Sequence, residues 1–341
     1  MSRDTAPEVP TLDGVRVVAV ENLRHNPDSN GLGVRAGLGD IIRVRVANLQ
    51  RLINHAKCRS EDSRPVAKCR EQEISLFLDG REIVGLIPES GAPIPKEGVL
   101  QFHLQRSAES DEAWADLLGA PPFDTGAFIR PTELSVGPSG AYPVESDVGK
   151  MEFALIRIRR AWFVGCTLLL LPILILFRYA AIKSGLLRDP GPPPENDSSA
   201  LRPYSLARTQ MAFWFILIVV AFVYIWLVTG SWESVTGSVL GLMGIGAGTA
   251  LSAAVIDSNK PAVPLKTENF LKDVLTDKNG YSFHRFQMFV WTLVLGVLFV
   301  YSVWNRLAMP DFSPTLLGLL GISGGTYLGF KIPERQDEGS T

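Results

Sequence analysis

Five long stretches of this chain contain no charged residue, and this feature constrains the fold more than any other. Each stretch is about 17 to 24 residues long, and a helix needs about 20 residues to cross a hydrocarbon core of about 30 Å. Buried helices of soluble proteins rarely stay uncharged over this length five times in succession. The sequence therefore predicts an integral membrane protein with about five transmembrane helices. The stretches are bounded by Arg160 and Arg178, Arg208 and Glu233, Glu233 and Asp257, Arg285 and Arg306, and Asp311 and Lys331.

The first 158 residues show another pattern, in which short apolar stretches alternate with turn signals. Residues 42–46 alternate apolar and basic side chains, as a strand with one buried face does. Asp79-Gly80 favours a two-residue hairpin turn between residues 74–78 and 81–84, because both turn positions need positive φ. These patterns predict a soluble antiparallel β-sandwich over residues 1–158. Further strands are predicted at 15–20, 99–104, 134–136 and 153–156, with one helix at 109–118.

One segment of this domain carries a family resemblance. From Gly39 to Leu49 the chain reads Gly-Asp-Ile-Ile-Arg-Val-Arg-Val-Ala-Asn-Leu. The segment resembles the Gly-Asp-x-hydrophobic…Asn-Leu pattern of immunoglobulin-like IPT/TIG domains. The resemblance covers some ten residues and implies an immunoglobulin-like sandwich.

The remaining chain is predicted to hold one single span and two transmembrane hairpins. A Pro/Gly-rich linker, expected to be extended and solvated, separates the single span from the hairpins. A cytoplasmic loop with an amphipathic helix at residues 267–275 separates the hairpins from each other. The predicted bounds are 161–182 for the first transmembrane helix, 184–207 for the linker, 208–257 for the first hairpin, 258–284 for the loop and 285–334 for the second hairpin.

The two hairpins are related in sequence. Shifting the chain by 77 residues aligns 204–251 with 281–328 without a gap, and 18 of 48 positions are identical. The matches include arginine, glutamine, tryptophan and glycine in one register, which shared apolar composition does not explain. Each copy contains two spans, so both copies have the same orientation and form a tandem parallel repeat. This membrane half also resembles uncharacterised bacterial membrane proteins, which implies a bacterial envelope and no particular activity.

A stripe of small residues runs along the second helix of each hairpin. Its glycines are spaced by three and four residues and therefore lie on one helical face. Small residues let the backbones of transmembrane helices approach each other closely. The stripe predicts tight helix packing, with a pore or ligand pathway lined by backbone as the alternative. Its members are Gly241, Gly244, Gly248 and Ser252 in the first copy, and Gly318, Gly321, Gly325 and Gly329 in the second. Thr249 and Thr326, which follow Gly248 and Gly325, are further packing or pore-lining candidates.

Opposite charges flank each hairpin. Arg208 and Arg285 precede the first helices, while Asp257 and Glu334 follow the second. A hairpin brings both of its ends to the same side of the membrane, so we predict interfacial arginine–carboxylate pairs that anchor the hairpins.

The orientation follows from lysine and arginine. Twelve of these residues lie near one set of helix ends and five near the other, and the richer side is cytoplasmic by the positive-inside rule. We therefore expect a bacterial inner-membrane protein with its N-terminal domain outside and its C-terminus in the cytoplasm. An outside location is compatible with a disulfide between Cys58 and Cys69, although two free thiols are the alternative.

No constellation of catalytic residues was found. The four histidines lie far apart in sequence, no phosphate-binding loop follows a strand, and no basic patch with aromatics suggests nucleic acid. We expect no metal and no cofactor. The predicted function is a non-enzymatic membrane protein that self-associates through its glycine-faced helices, with an outer domain that binds or senses a protein or small ligand. The alternative is an ion-conducting channel or passive pore that the outer domain gates.

Overall fold

The computed structural model describes two separate units of the chain. One unit comprises Met1–Arg160 with Val228–Gly230, and the other comprises Ala161–Leu227 with Ser231–Thr341. The described residues are 12–24, 33–59, 64–65, 70–89, 98–119, 128–148, 152–190, 202–232, 234–258, 269–277 and 280–332.

Short strands dominate the first unit. Its described residues form three sheets, with the strand orders β6-β3-β1-β9, β2-β10-β7 and β5-β4-β8 in the numbering given below. Most neighbours are antiparallel, but β1 pairs with β9 and β2 with β10 in parallel. The predicted antiparallel pairing is therefore confirmed only in part. Each parallel pair joins segments far apart in the chain, which leaves room for the crossover that a parallel pair requires. The elements are β1 Arg16–Asn22, β2 Val34–Gly37, β3 Ile41–Ala47, α1 Leu49–Ala56, β4 Ile74–Leu78, β5 Arg81–Glu82, β6 Val99–His103, α2 Asp111–Leu118, β7 Ile129–Pro131, β8 Leu134–Pro138, β9 Glu145–Ser146 and β10 Phe153–Ile156.

Local patterns in this unit were predicted well. In β3, Ile42, Val44 and Val46 are buried while the arginines between them are exposed, as the alternation predicted. The β4–β5 hairpin turns at Asp79 and Gly80, whose φ angles of 51° and 75° confirm the expected turn. The eight-residue helix α1, which follows β3 after a single residue, was not predicted.

Two arginines near the end of this unit are bound by the domain itself. Arg157 donates a hydrogen bond from Nη2 to the Gly119 carbonyl at 2.7 Å, and Arg159 donates from Nη2 to Asp40 Oδ1 at 2.7 Å. Both charges thus contribute to the fold of the domain.

The second unit is helical. Among the described residues, four of its helices (α3, α4, α5 and α7) are long and apolar enough to cross a membrane, which is compatible with an integral membrane protein. The fifth predicted span forms α8, which has 18 residues and falls outside this group, so its crossing stays a prediction. The elements are α3 Arg160–Lys183, α4 Leu206–Thr229, α5 Gly237–Ser258, α6 Phe270–Leu275, β11 Thr276–Asp277, β12 Gly280–Tyr281, α7 Phe283–Arg306 and α8 Pro314–Lys331.

Helices α4, α5, α7 and α8 share a core, and α3 does not. Trp214 of α4, Leu242 of α5, Phe299 of α7 and Leu320 of α8 belong to one buried cluster. By contrast, α3 is almost entirely unburied, and most of its large side chains are exposed. An apolar helix with so little protein around it is suited to contact with lipid on most sides.

The helix bounds follow the 77-residue register of the sequence. Helices α4 and α7 are both 24 residues long and begin 77 residues apart, and α5 and α8 also begin 77 residues apart. Whether the two helix pairs superpose as copies of one hairpin stays a prediction.

Candidate functional site

The predicted glycine stripe lies on α5 and α8, and most of it meets no neighbour within the chain. Gly241 is the exception, since a Cβ atom there would lie 3.5 Å from Leu317 Cδ1. Whether the stripe packs helices together or lines a pore stays a prediction. A Cβ atom would have no heavy atom within 4 Å, apart from the turns of its own helix, at Gly244, Gly248, Gly318, Gly321, Gly325 and Gly329.

A different glycine makes the close contact between α5 and α8. A Cβ atom at Gly324 would lie 2.8 Å from Thr249 Oγ1, so only glycine fits there without a shift. Thr249 is buried, and its hydroxyl donates to the Ile245 carbonyl at 2.8 Å. Thr326, its predicted counterpart, also donates within its own helix, to the Ile322 carbonyl. The pair thus has a packed face at Gly324 and an open face at the predicted stripe.

Lys331, the last residue of α8, is buried at one end of the helical unit. The side chain of Lys331 is 2% exposed, and its Nζ lies 2.6 Å from Asp257 Oδ2 and 3.5 Å from Asp189 Oδ1. The same nitrogen donates to Tyr327 Oη at 3.1 Å. A buried charge is tolerated only when it is paired, and these contacts provide the pairing. They also join the ends of α5 and α8 to the segment that follows α3.

Two buried arginines lie over aromatic rings in this unit. The Arg285 guanidinium is 5.5 Å from the centre of the Tyr327 ring, and that of Arg188 is 4.2 Å from the centre of the Tyr204 ring. Such cation–π contacts gain strength when the cation is removed from water.

The predicted interfacial pairs have a mixed outcome. Asp257 does form an ion pair, but with Lys331. Arg208 donates to the Gly185 carbonyl at 3.3 Å, and Arg285 lies over Tyr327. Glu334 lies outside the described residues, so pairing of the two arginines with carboxylates stays a prediction.

The ends of the predicted linker are structured. Arg188 and Tyr204 form a β-bridge, Asp189 donates its backbone N–H to the Pro203 carbonyl at 3.1 Å, and Ser205 donates to the Leu187 carbonyl at 2.8 Å. The bridge and the two hydrogen bonds hold the ends of the linker together and place Asp189 beside Lys331. The sequence does not reveal this cluster, because the Pro/Gly-rich composition of residues 184–207 predicts a solvated linker and a lysine at a helix end is equally a topology signal. The Pro-rich centre, residues 191–201, lies outside the described residues.

Matched glutamines connect the helices through polar contacts. Gln210 of α4 donates to Thr292 Oγ1 of α7 at 2.8 Å, with both side chains buried. Its sequence counterpart, Gln287 of α7, donates to Ser323 Oγ of α8 at 3.4 Å. Side-chain hydrogen bonds of this kind stabilise the association of transmembrane helices. The glutamines were visible in the sequence repeat, but their different partners were not.

The cysteine prediction is tested in part. Cys58 is nearly buried and disulfide-bonded. Cys69 lies outside the described residues, so the pairing of these two cysteines stays a prediction. Cys166 is a buried free cysteine in α3.

Within the described ranges, no three His, Cys, Asp or Glu side chains are grouped to hold a metal ion. Comparisons with protein-family models, curated proteins and solved structures found no match, so function has to be inferred from the geometry of the chain itself.

Proposed function

We propose that this protein is a non-enzymatic membrane component that self-associates through the open glycine face of α5 and α8. The observation that carries the proposal is the contrast between the two faces of this helix pair. A Cβ atom at Gly324 would lie 2.8 Å from Thr249 Oγ1 of the same chain, whereas a Cβ atom at Gly248 or Gly325 would have no heavy atom of another described segment within 4 Å. The occupant we propose for the open face is a second copy of the chain.

The bilayer environment favours a second copy of the chain on this face. Apolar surface alone does not drive helices together in a bilayer, because lipid tails are as apolar as leucine. A face without side chains instead gains dispersion contacts when another backbone approaches it, and the stripe continues over several turns of both helices. In this proposal the first unit, which has a buried core of its own, is the binding or sensing module of the assembly.

The test replaces open glycines with leucine. We expect the full-length Gly248→Leu/Gly325→Leu variant to run as a monomer in mild detergent and to lose inter-chain crosslinks in membranes, because leucine holds the backbones apart. The wild-type chain should remain an oligomer in both measurements. Helical circular dichroism and the thermal midpoint of the variant should stay close to wild type, since these positions touch nothing within the chain.

Gly165 of α3 provides a matched control. It is an exposed glycine in a candidate span, also with no neighbour within 4 Å, but it lies outside the stripe. Gly165→Leu should leave the oligomer intact. A monomeric wild-type protein, or a double variant that still crosslinks like wild type, would overturn the proposal.

A further inference from the structure

The short helix α6 lies at the level where two candidate membrane spans begin. The carbonyl of Leu275, its last residue, accepts a hydrogen bond of 3.0 Å from the backbone N–H of Ser282, the N-cap of α7. Asp273 Oδ2 accepts a hydrogen bond of 3.2 Å from the backbone N–H of Tyr204, just before α4 begins. Both α4 and α7 are long and apolar enough to cross a membrane. The two bonds therefore place α6 at the depth where these spans leave the hydrocarbon core.

One face of α6 covers the end of the helical unit. Val274 is fully buried in a cluster to which the beginnings of α4 and α7 and the ends of α5 and α8 all contribute. Because these four helices contribute from the same end, the Val274 face of α6 points towards the bundle and not towards the water beyond it. The buried members of the cluster are Leu206, Ala207, Ala250, Ala253, Val274, Met288 and Tyr327.

Two large apolar residues flank Val274 and remain exposed. Phe270 and Leu271 precede Val274 by four and three residues, so they lie about 40° and about 60° from it around the helix, on opposite sides. Both side chains are exposed, although the Phe270 ring also contacts the Tyr204 ring at 5.3 Å between centres. Lys272 is exposed as well and lies about 160° from Val274. The apolar side of α6 is thus turned in the same direction as its bundle contact, and Lys272 is turned away.

The depth of α6 identifies what meets this apolar side. Single exposed apolar residues are ordinary on a surface that faces water. Phe270 and Leu271 differ because they flank the bundle contact at the level of the span ends, where the surrounding layer consists of phospholipid headgroups. Tyr281 in the strand before α7 and Phe283 at the start of α7 are exposed at the same level. Tyrosine is enriched at this depth, and helices with one apolar and one charged side lie in this layer.

We propose that α6 is an interfacial helix whose Phe270 and Leu271 side chains bind the phospholipid headgroup layer around the ends of α4 and α7. Six residues are too few for a helix that is stable by itself in water. The bundle contact at Val274 and the lipid contact beside it together stabilise α6 across the end of the helical unit. The proposal rests on the membrane location of α4 and α7, which is part of the proposed function, and it is independent of self-association through the glycine face.

A photocrosslinking side chain at position 271 identifies what covers this side of α6. The full-length chain carries p-benzoylphenylalanine in place of Leu271, Lys272 or Leu169, one position at a time, in liposomes of phosphatidylethanolamine and phosphatidylglycerol. Leu169 is exposed near the middle of α3 and is the control for contact with lipid. After irradiation, mass spectrometry should find phospholipid adducts at position 271 with a yield similar to that at 169. The yield at 272 should be several-fold lower, because Lys272 is turned away from the membrane.

The outcomes separate this inference from its premise. Equal phospholipid yields at positions 271 and 272 would overturn the proposal, and so would crosslinks between two chains at 271, because they would assign this side of α6 to a second copy. Adducts at 169 without adducts at 271 would overturn the inference and leave the membrane location of the helical unit intact. An absence of adducts at both positions would remove the premise and the inference together.

The unsubstituted chain provides a second measurement that no foreign side chain can disturb. A phospholipid with a diazirine in its headgroup is added to the same liposomes, and the labelled residues are mapped by mass spectrometry. We expect label on Phe270 or Leu271, and an absence of label on α6 would overturn the proposal. Circular dichroism and thermal midpoints close to wild type show that the adduct yields of the substituted chains belong to folded protein.

Discussion

Among the described residues, the most exposed ion pairs of this protein lie in its strand-rich unit and the most buried one lies in its helical unit. In the strand-rich unit, Arg16–Asp147 and Arg45–Glu21 are surface pairs whose four side chains are each about half exposed. In the helical unit, the Lys331 and Asp257 side chains are each 2% exposed. The Coulomb attraction is similar in kind, but the cost of breaking it depends on how much water can replace the lost partner.

Exposed pairs contribute about 0–1 kcal/mol, because water solvates either ion when the other is removed. Removing one partner of a buried pair leaves the other charge without compensation and costs about 3–5 kcal/mol. The Asp40–Arg159 pair is intermediate, since Asp40 is fully buried while the Arg159 side chain is 37% exposed. We therefore expect the stability lost on substitution of an ion-paired residue to depend more on how deeply the ionic groups are buried than on the distance between them.

The largest effect is expected at Lys331. Lys331→Met removes the cation between Asp257 and Asp189 and should lower the free energy of unfolding of the helical unit by about 3–5 kcal/mol. Steric trapping in bicelles measures this quantity in the full-length protein. Lys183→Met, which removes an exposed lysine from the end of α3, is the control and should change it little.

A double variant separates two causes of this loss, which are the uncompensated charge of Asp257 and the lost packing of the lysine side chain. Lys331→Met/Asp257→Leu removes both charges of the fully buried pair and leaves Asp189, whose side chain is 20% exposed and can be solvated. The double variant should recover most of the lost stability, because a buried ion pair and a well-packed apolar pair differ little in stability. If the double variant is as unstable as Lys331→Met alone, the uncompensated Asp257 charge is not the cause, and the comparison between the units fails at its strongest point.

An intermediate effect is expected at Asp40. Its carboxylate accepts from the Gly37 N–H at 2.9 Å and from Arg159 at 2.7 Å. Asp40→Asn keeps the shape but replaces one acceptor oxygen with a donor, which should cost the strand-rich unit about 1.5–3 kcal/mol. Faster amide hydrogen exchange throughout β2 and β3 of the full-length protein measures the loss. Glu21→Gln, at a half-exposed pair, should leave the same amides nearly unchanged, and equal effects of the two variants would contradict the ranking by burial.

Features that depend on one short segment were predictable from the sequence. The uncharged stretches predicted the long helices, and the alternation in residues 42–46 predicted the burial in β3. Asp79-Gly80 predicted its turn because both residues tolerate positive φ. In each case the information lies within a few consecutive residues, where helical or strand periodicity determines which side chains share a face.

Features that depend on distant segments were not predictable in this way. Gly324 and Gly325 are neighbours in sequence, yet one meets Thr249 and the other meets nothing, and only the placement of α5 decides which. Lys331 has its carboxylate partners on α5 and on the segment after α3, and the loop closure that brings Asp189 to it has no signature in sequence. The parallel pairs β1–β9 and β2–β10 likewise join ends of the first unit that no local pattern relates.

The smallest effect is expected at Glu82 and depends on pH. Partial burial would raise the pKa of Glu82, but hydrogen bonds from the Ser139 hydroxyl at 2.7 Å, from the Gly140 amide at 2.9 Å and from Ser75 outweigh it and hold the pKa below its ordinary value. A group whose pKa is lower in the folded state stabilises that state above the ordinary glutamate pKa of about 4.5, and the contribution is lost as pH falls through the lower value. Hydrogen exchange at the Gly140 amide, which donates to Glu82, measures this locally. The ratio of the Gly140 protection factor in the wild type to that in Glu82→Gln, measured at the same pH, should exceed one at neutral pH and decline towards one in acid. The half-exposed turn keeps the effect small, and a ratio that does not change with pH would show that the carboxylate at this turn is no better an acceptor than a neutral amide.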